Sequence, residues 1–206
     1  MKGMTLLLAV GVLNCTYAWS SIEEMESEVC VALTNDEHIV SQTFTNQLGL
    51  ATSSASDEMR AEAYMLLSIS AYQNFLDTAD ALWLDHEMSN ASNAVVEIGA
   101  NNNRWQYWMA RFTYASAFAS ELNFTNAYSI ATNTLAEISA SGYTNESSMV
   151  ESAILEKFEM PDLHVEDAMK IMAGMSAAEL GMGIAATNYA NQLASPYRDI
   201  ILDFIR

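Results

Sequence analysis

The stretch RWQYWMARFTYASAFASELNFTNAYSIATNTLAEIS, residues 104–139, decides the fold. Its apolar residues recur at three- and four-residue steps. The first set is Trp105, Trp108, Met109, Phe112, Ala115 and Phe118-Ala119; the second is Ala127, Ile130, Ala131, Leu135 and Ile138. That spacing lines one face of an α-helix in each case. A tight turn near Asn123 joins the two helices, and Ser141-Gly142 closes the second. The pair reads as an antiparallel hairpin on which the remaining helices stack.

Working outward, the same periodicity predicts helices from Ser20 to Leu33 and, less strongly because of its β-branched residues, from Asn35 to Leu50. Ser56-Asp57-Glu58 opens a helix to about Phe75, with Ala61, Tyr64, Met65, Ile69 and Tyr72 inward. The next helix carries Ala81, Leu82, Leu84 and Met88 on its apolar face, with an interruption at Asn90 to Asn93 before Val95, Val96 and Ile98. Beyond the hairpin come helices at about 147–158, 162–180 and 184–193. A last one opens at Ser195-Pro196 and buries Ile200, Ile201, Phe204 and Ile205. The chain has only two prolines and eight glycines. That scarcity argues against a sandwich or barrel of many short strands. The expected fold is all-α: antiparallel hairpins stacked as a short array, or an irregular bundle built from the same hairpins.

Met1 to Ala18 has the pattern of a secretory signal. Lys2 gives the positive start, Leu6 to Leu13 the short apolar run, and Thr16-Tyr17-Ala18 the cleavage site. Residues 19–206 then form one helical domain, expected to be exported and periplasmic or extracellular. Cys15 offers a lipid anchor as an alternative, though Asn14 stands where a small residue belongs. After cleavage Cys30 is the one cysteine left, and it reads as a buried thiol.

The net charge is −18, from 26 acidic and eight basic residues. Such a surface repels polyanions, and no Lys/Arg stripe is present to meet phosphates. Nucleic acid is therefore not an expected partner. The signal run is too short to span a bilayer, and no other segment is long and apolar enough to do so.

The 104–139 hairpin resembles a tetratricopeptide repeat, a helix–turn–helix unit of about 34 residues. Ala115 stands at the family's small residue on the first helix, Phe118 at the aromatic three residues on, Ala127 at the alanine of the second helix, and Phe124 just after the turn. Arg111, Tyr114, Ala131, Thr134 and Ser139 depart from the pattern. The resemblance implies a helical array with a concave face that binds a protein or peptide.

Motifs that carry chemistry are sparse. The chain lacks HExxH, ExxH, GxSxG, CxxC and a Gly-rich phosphate loop, so no cofactor and no catalytic residue is singled out. Asp85-His86-Glu87 is a polar cluster, but neighbours on a helix point about 100° apart and do not converge on one ion. Met169, Met172 and Met175 are three apart and could hold Cu(I), although the same spacing makes a core stripe. Abundant Asp and Glu leave room for a carboxylate pair in an exported helical enzyme. Asn90, Asn123 and Asn145 head N-x-S/T sequons. The residues best suited to a ligand-facing surface are Arg104, Tyr107, Arg111 and Tyr114, whose amphipathic tips favour interfaces. The expected function is non-catalytic binding of a protein or peptide partner.

Overall fold

The computed structural model describes residues 24, 26–27, 29–31, 48–54, 56–100, 104–144 and 148–205. The signal segment, Cys15, the helix start at Ser20 and the sequon at Asn145 lie outside the described residues. Residues 24, 26–27, 29–31 and 48–51 are helical, and a 3-10 turn follows at Thr52–Ser54. From there the helices are α1 (Asp57–Thr78), α2 (Leu82–Ile98), α3 (Trp105–Ser120), α4 (Phe124–Ser141), α5 (Met149–Lys157), α6 (Val165–Glu179), α7 (Gly183–Ala190) and α8 (Tyr197–Ile205). No strand occurs among the described residues, and the fold is all-α.

Local chemistry sets several helix starts. The Ser56 hydroxyl accepts from Met59 N–H, Asn123 Oδ1 from Asn126 N–H, and the Ser148 hydroxyl from Glu151 N–H, each satisfying an amide that the first helical turn leaves open. Asp57 and Glu58 add negative charge at the start of α1. Glu151 of α5 is buried, and its Oε1 accepts from Val165 N–H at 3.3 Å, so one helix caps the next.

Polar pairs fix the register between helices. Arg60 Nε donates to Glu97 at 2.7 Å, and Ser68 Oγ donates to the Glu87 carbonyl at 3.0 Å, so α1 and α2 run antiparallel. Tyr107 OH donates to Glu137 at 2.8 Å and does the same for α3 and α4. Gln106 Nε2 donates to Glu62 at 2.6 Å, so α1 and α3 lie side by side in the same direction. α3 packs against α1, α2, α4 and α6, while α6 carries α7 and α8. The segment after α5 closes over this centre: Phe158 stacks on Tyr72 and meets Phe112 edge-on at 5.2 Å.

The second helices share one inward pattern. In α2 it is Glu87, Ala91, Ala94 and Ile98; in α4 it is Ala127, Ala131, Thr134 and Ile138, forty residues on at every position. In α7 Ala186 and Ala190, followed by Leu193, repeat the same four- and three-residue steps. This corrects the expected face of α2. Leu82 is 62% exposed, and the helix runs unbroken through Asn90 to Asn93. The small faces of Ala91 and Ala94 admit the neighbouring helices; Leu82 and Met88 lie off that stripe, and Leu84, seven residues before Ala91, is half-buried at its edge. Phe204 and Ile205 are likewise exposed at the end of α8, where Ile201 alone is buried.

Gly174 sets the approach of α8 to α6. A Cβ there would come within 2.5 Å of Ile201 Cδ1 and 3.1 Å of its Cγ1 and Cγ2. Gly174→Ala gains about 1 kcal/mol of helix propensity but overpacks Ile201, a cost of about 1–3 kcal/mol. The net effect expected in urea unfolding is destabilisation, and the cost should shrink in the Ile201→Val background. Equal costs in both backgrounds would show that the contact does not govern this packing.

Candidate functional site

α3 is buried on most of its circumference. Trp105, Gln106, Trp108 to Ala110, Phe112, Thr113 and Ala115 to Ala117 are buried; Ala119 and Ser120 at its end are half-exposed, as are Tyr107, Arg111, Tyr114 and Phe118. With exposed Arg104 these last four fall at three- and four-residue steps and share one stripe. The four residues singled out from sequence therefore lie on one face. Two of them are brought together. Arg111 Nη1 donates to Tyr107 OH at 2.6 Å and to Glu137 Oε2 at 2.8 Å, and its guanidinium lies 5.3 Å from the centre of the Tyr107 ring. Burial, then the Glu137 carboxylate, pushes the Tyr107 hydroxyl pKa up. Tyr114 leans on Phe118 at 4.9 Å. Arg104 precedes the helix and makes no ion pair with a described residue. The face thus offers one cation to solvent, two amphipathic rings, and an arginine already engaged within its hairpin.

A second set of groups is buried. Glu87 is 1% exposed and takes the position that Ala127 holds in α4. Its Oε1 accepts from Ser120 Oγ at 3.0 Å, whereas Oε2 accepts no hydrogen bond from a described residue. Burial drives its pKa up to about 8, with the Ser120 bond opposing and the Glu121 charge adding. Burial and then Glu87 also raise the Tyr72 hydroxyl. Ser70 Oγ and Asn74 Nδ2, on α1, are buried and likewise lack a described partner. The Asp85-His86-Glu87 run is split by the helix: Asp85 and His86 face solvent, and His86 lies 5.4 Å from Trp83.

A third set joins the early helix to α1 and α3. Glu62 hydrogen-bonds both Gln106 and Glu26, and burial raises its pKa while those two bonds oppose the rise. Burial, with Glu26 and Glu62 nearby, pushes the Cys30 thiol up to about 12, so it stays protonated and unreactive. The spacing of Glu26 and Glu62 in sequence gave no sign of this pairing. Met169 is fully buried, and Met172 and Met175 pack against the core as partly buried residues. No group of three or more His, Cys, Asp or Glu among the described residues has the geometry to hold a metal ion.

Glu87 makes stability depend on pH. The unfolded carboxyl loses its proton near 4.5 and the folded one near 8. Between those values the native state binds more protons, so its contribution is present below pH 4.5 and falls as pH rises, by at most about 1.4 kcal/mol per unit. Glu87→Gln keeps the shape without the charge. Its thermal midpoint should match the parent near pH 5 and exceed it by several degrees near pH 8.5; parallel profiles would remove Glu87 as the source. No family model, curated protein or solved structure matches the chain, so the site is read from its own geometry.

Proposed function

We propose that the chain is an exported, non-catalytic scaffold that holds a protein or peptide partner, its hairpins stacked as a short tetratricopeptide-like array. The observation that carries this reading is the stripe of exposed Arg104 and half-exposed Tyr107, Arg111 and Tyr114 along a helix buried on most of its circumference. Rings with polar tips and a solvent-facing guanidinium are the groups that concentrate at interfaces. The array reading is supported by the forty-residue recurrence of buried positions in α2 and α4. Export is supported by Lys2, the Leu6 to Leu13 run and Thr16-Tyr17-Ala18. The charge of −18 disfavours nucleic acid, and no described helix is long and apolar enough to cross a membrane.

A second reading, carboxylate catalysis, has one observation in its favour: the hydrogen-bonded pair of Glu26 and Glu62. Its cost is burial, since Glu26 is 5% exposed.

The test is affinity capture from the native host with parent and Tyr107→Ala/Tyr114→Ala protein, folding being checked by circular dichroism. The parent should retain a specific partner, and the folded variant should lose about tenfold or more of it. Capture of nothing, or equal capture by both, would sink the reading.

A further inference from the structure

The α3–α4 and α6–α7 turns share a geometry. In the α3–α4 turn, Glu121 N–H donates to the Ala117 carbonyl, Leu122 to Ala119 and Asn123 to Phe118. In the α6–α7 turn, Leu180 donates to Ser176, Gly181 to Ala178 and Met182 to Ala177, with matching lengths. The reach of Asn123 and Met182 back across five residues closes each helix in a Schellman-type end. That end needs a left-handed residue, and glycine is its usual occupant. Gly181 fills it at φ +71°, but Leu122 fills it at φ +59°. Ala79 holds the left-handed position in the α1–α2 turn. A leucine there is strained, and its side chain is 76% exposed, so packing within the fold does not account for it.

The α1–α2 and α3–α4 turns sit at one end of the molecule. The Gln106–Glu62 bond sets α3 beside α1 in parallel, which brings Leu122 level with Thr78. Ser120, just before the second turn, bonds Glu87 near the start of α2. This end exposes Leu76, Leu82 and Leu122, the last at 76%. Asp77, Asp80, Asp85 and Glu121 are exposed among them. No lysine or arginine lies from 61 to 103 or from 112 to 156, which covers both turns and their flanking helix ends.

We infer that this apolar, acid-rimmed end is a docking surface for a cationic amphipathic segment of a partner protein, with Leu122 as the central anchor. Apolar side chains of the segment cover the leucines, and its lysines or arginines meet the acidic rim. Charge complementarity selects this occupant over a second copy, whose own turns carry the same negative charge. The surface is separate from the α3 stripe, and each has its own variants, so one reading can fail without the other.

The probe is a labelled amphipathic Leu/Lys helical peptide, with a Ser/Lys peptide of equal charge as control, read by fluorescence anisotropy at about 0.15 M salt. The expected result is saturable binding of the Leu/Lys peptide at least about tenfold tighter than the control. Leu122→Gly should lose most of that preference while its thermal midpoint stays level or rises, because glycine relieves the left-handed strain. Leu76→Ser/Leu82→Ser should weaken binding with charge unchanged. Equal affinity for both peptides, or an unaltered preference in Leu122→Gly, would overturn the inference. So would a dimer in sedimentation that Leu122→Gly abolishes, or uptake on phosphatidylcholine vesicles that it abolishes, since either assigns the surface to another occupant.

Discussion

The desolvation of α3 is the constraint on which the other helices depend. Trp108, Met109 and Phe112 are fully buried, each removing apolar surface worth roughly 1.5–3 kcal/mol from water. A single neighbouring helix covers only one stripe of such a helix. Covering the rest requires α1, α2, α4 and α6 together, and Phe158 after α5 seals Phe112. Close approach from several sides requires small residues on the surrounding helices. The alanines at 91, 94, 127 and 131 supply that, and Gly174 supplies it where α6 meets α8. The alanine pattern of the second helices thus follows from the aromatic content of the first helix of the central hairpin.

This dependence explains what the sequence disclosed and what it concealed. The apolar periodicity of α3 and α4 is strong, and both helices of the hairpin at 104–139 and the turn near Asn123 were legible, although Phe118, Ala119, Ile130 and Leu135 are only half-buried and Thr134 takes an inward place. In α2 the larger apolar residues, Leu82, Leu84 and Met88, suggest one phase, while burial follows another set by Ala91, Ala94 and Ile98. Hydrophobicity weights leucine above alanine, whereas close helix packing selects for small volume, and the two criteria disagree there. A different signal was present in the chain: Ser89, Ala91, Asn93, Glu97 and Ile98 recur as Ser129, Ala131, Asn133, Glu137 and Ile138. Comparison by the first-helix signature passes over it, because α1 and α3 do not share it. The candidate face was legible for a simpler reason. Residues at three- and four-residue steps share a face whatever surrounds the helix. The pairing of Glu26 with Glu62 was not legible, since it depends on tertiary contact across unrelated segments.

Against the forty-residue pattern, Glu87 is the exception. An alanine at this place, as in α4 and α7, carries no desolvation cost. The carboxyl is tolerated because Ser120 donates to one oxygen and because the group can keep its proton. With Ser70 and Asn74 buried on α1 and lacking a described partner, the seam of the first hairpin holds more polar atoms than its packing requires. That makes the first hairpin the one whose packing is most sensitive to pH, and the second, built on Ala127, Ala131 and Thr134, the more uniform.

The scarcity of cations constrains how the α3 face can bind. Glu97 and Glu137 are equivalent across the forty-residue offset, and each takes an arginine from the preceding helix, Arg60 in the first hairpin and Arg111 in the second. Lys170 and Arg198 are also paired with neighbouring carboxylates. Arg60 and Arg111 thus hold helices together, whereas Lys170 and Arg198 pair within their own helices. Using Arg111 to grip a ligand carboxylate would mean giving up the Glu137 pair and the hydrogen bond to Tyr107, with little net gain in a half-buried site. Arg104 has no such engagement with a described residue. In the proposed function, recognition on this face accordingly rests on the rings of Tyr107 and Tyr114, held in place by Glu137 and Phe118, with Arg104 at the rim supplying the charge.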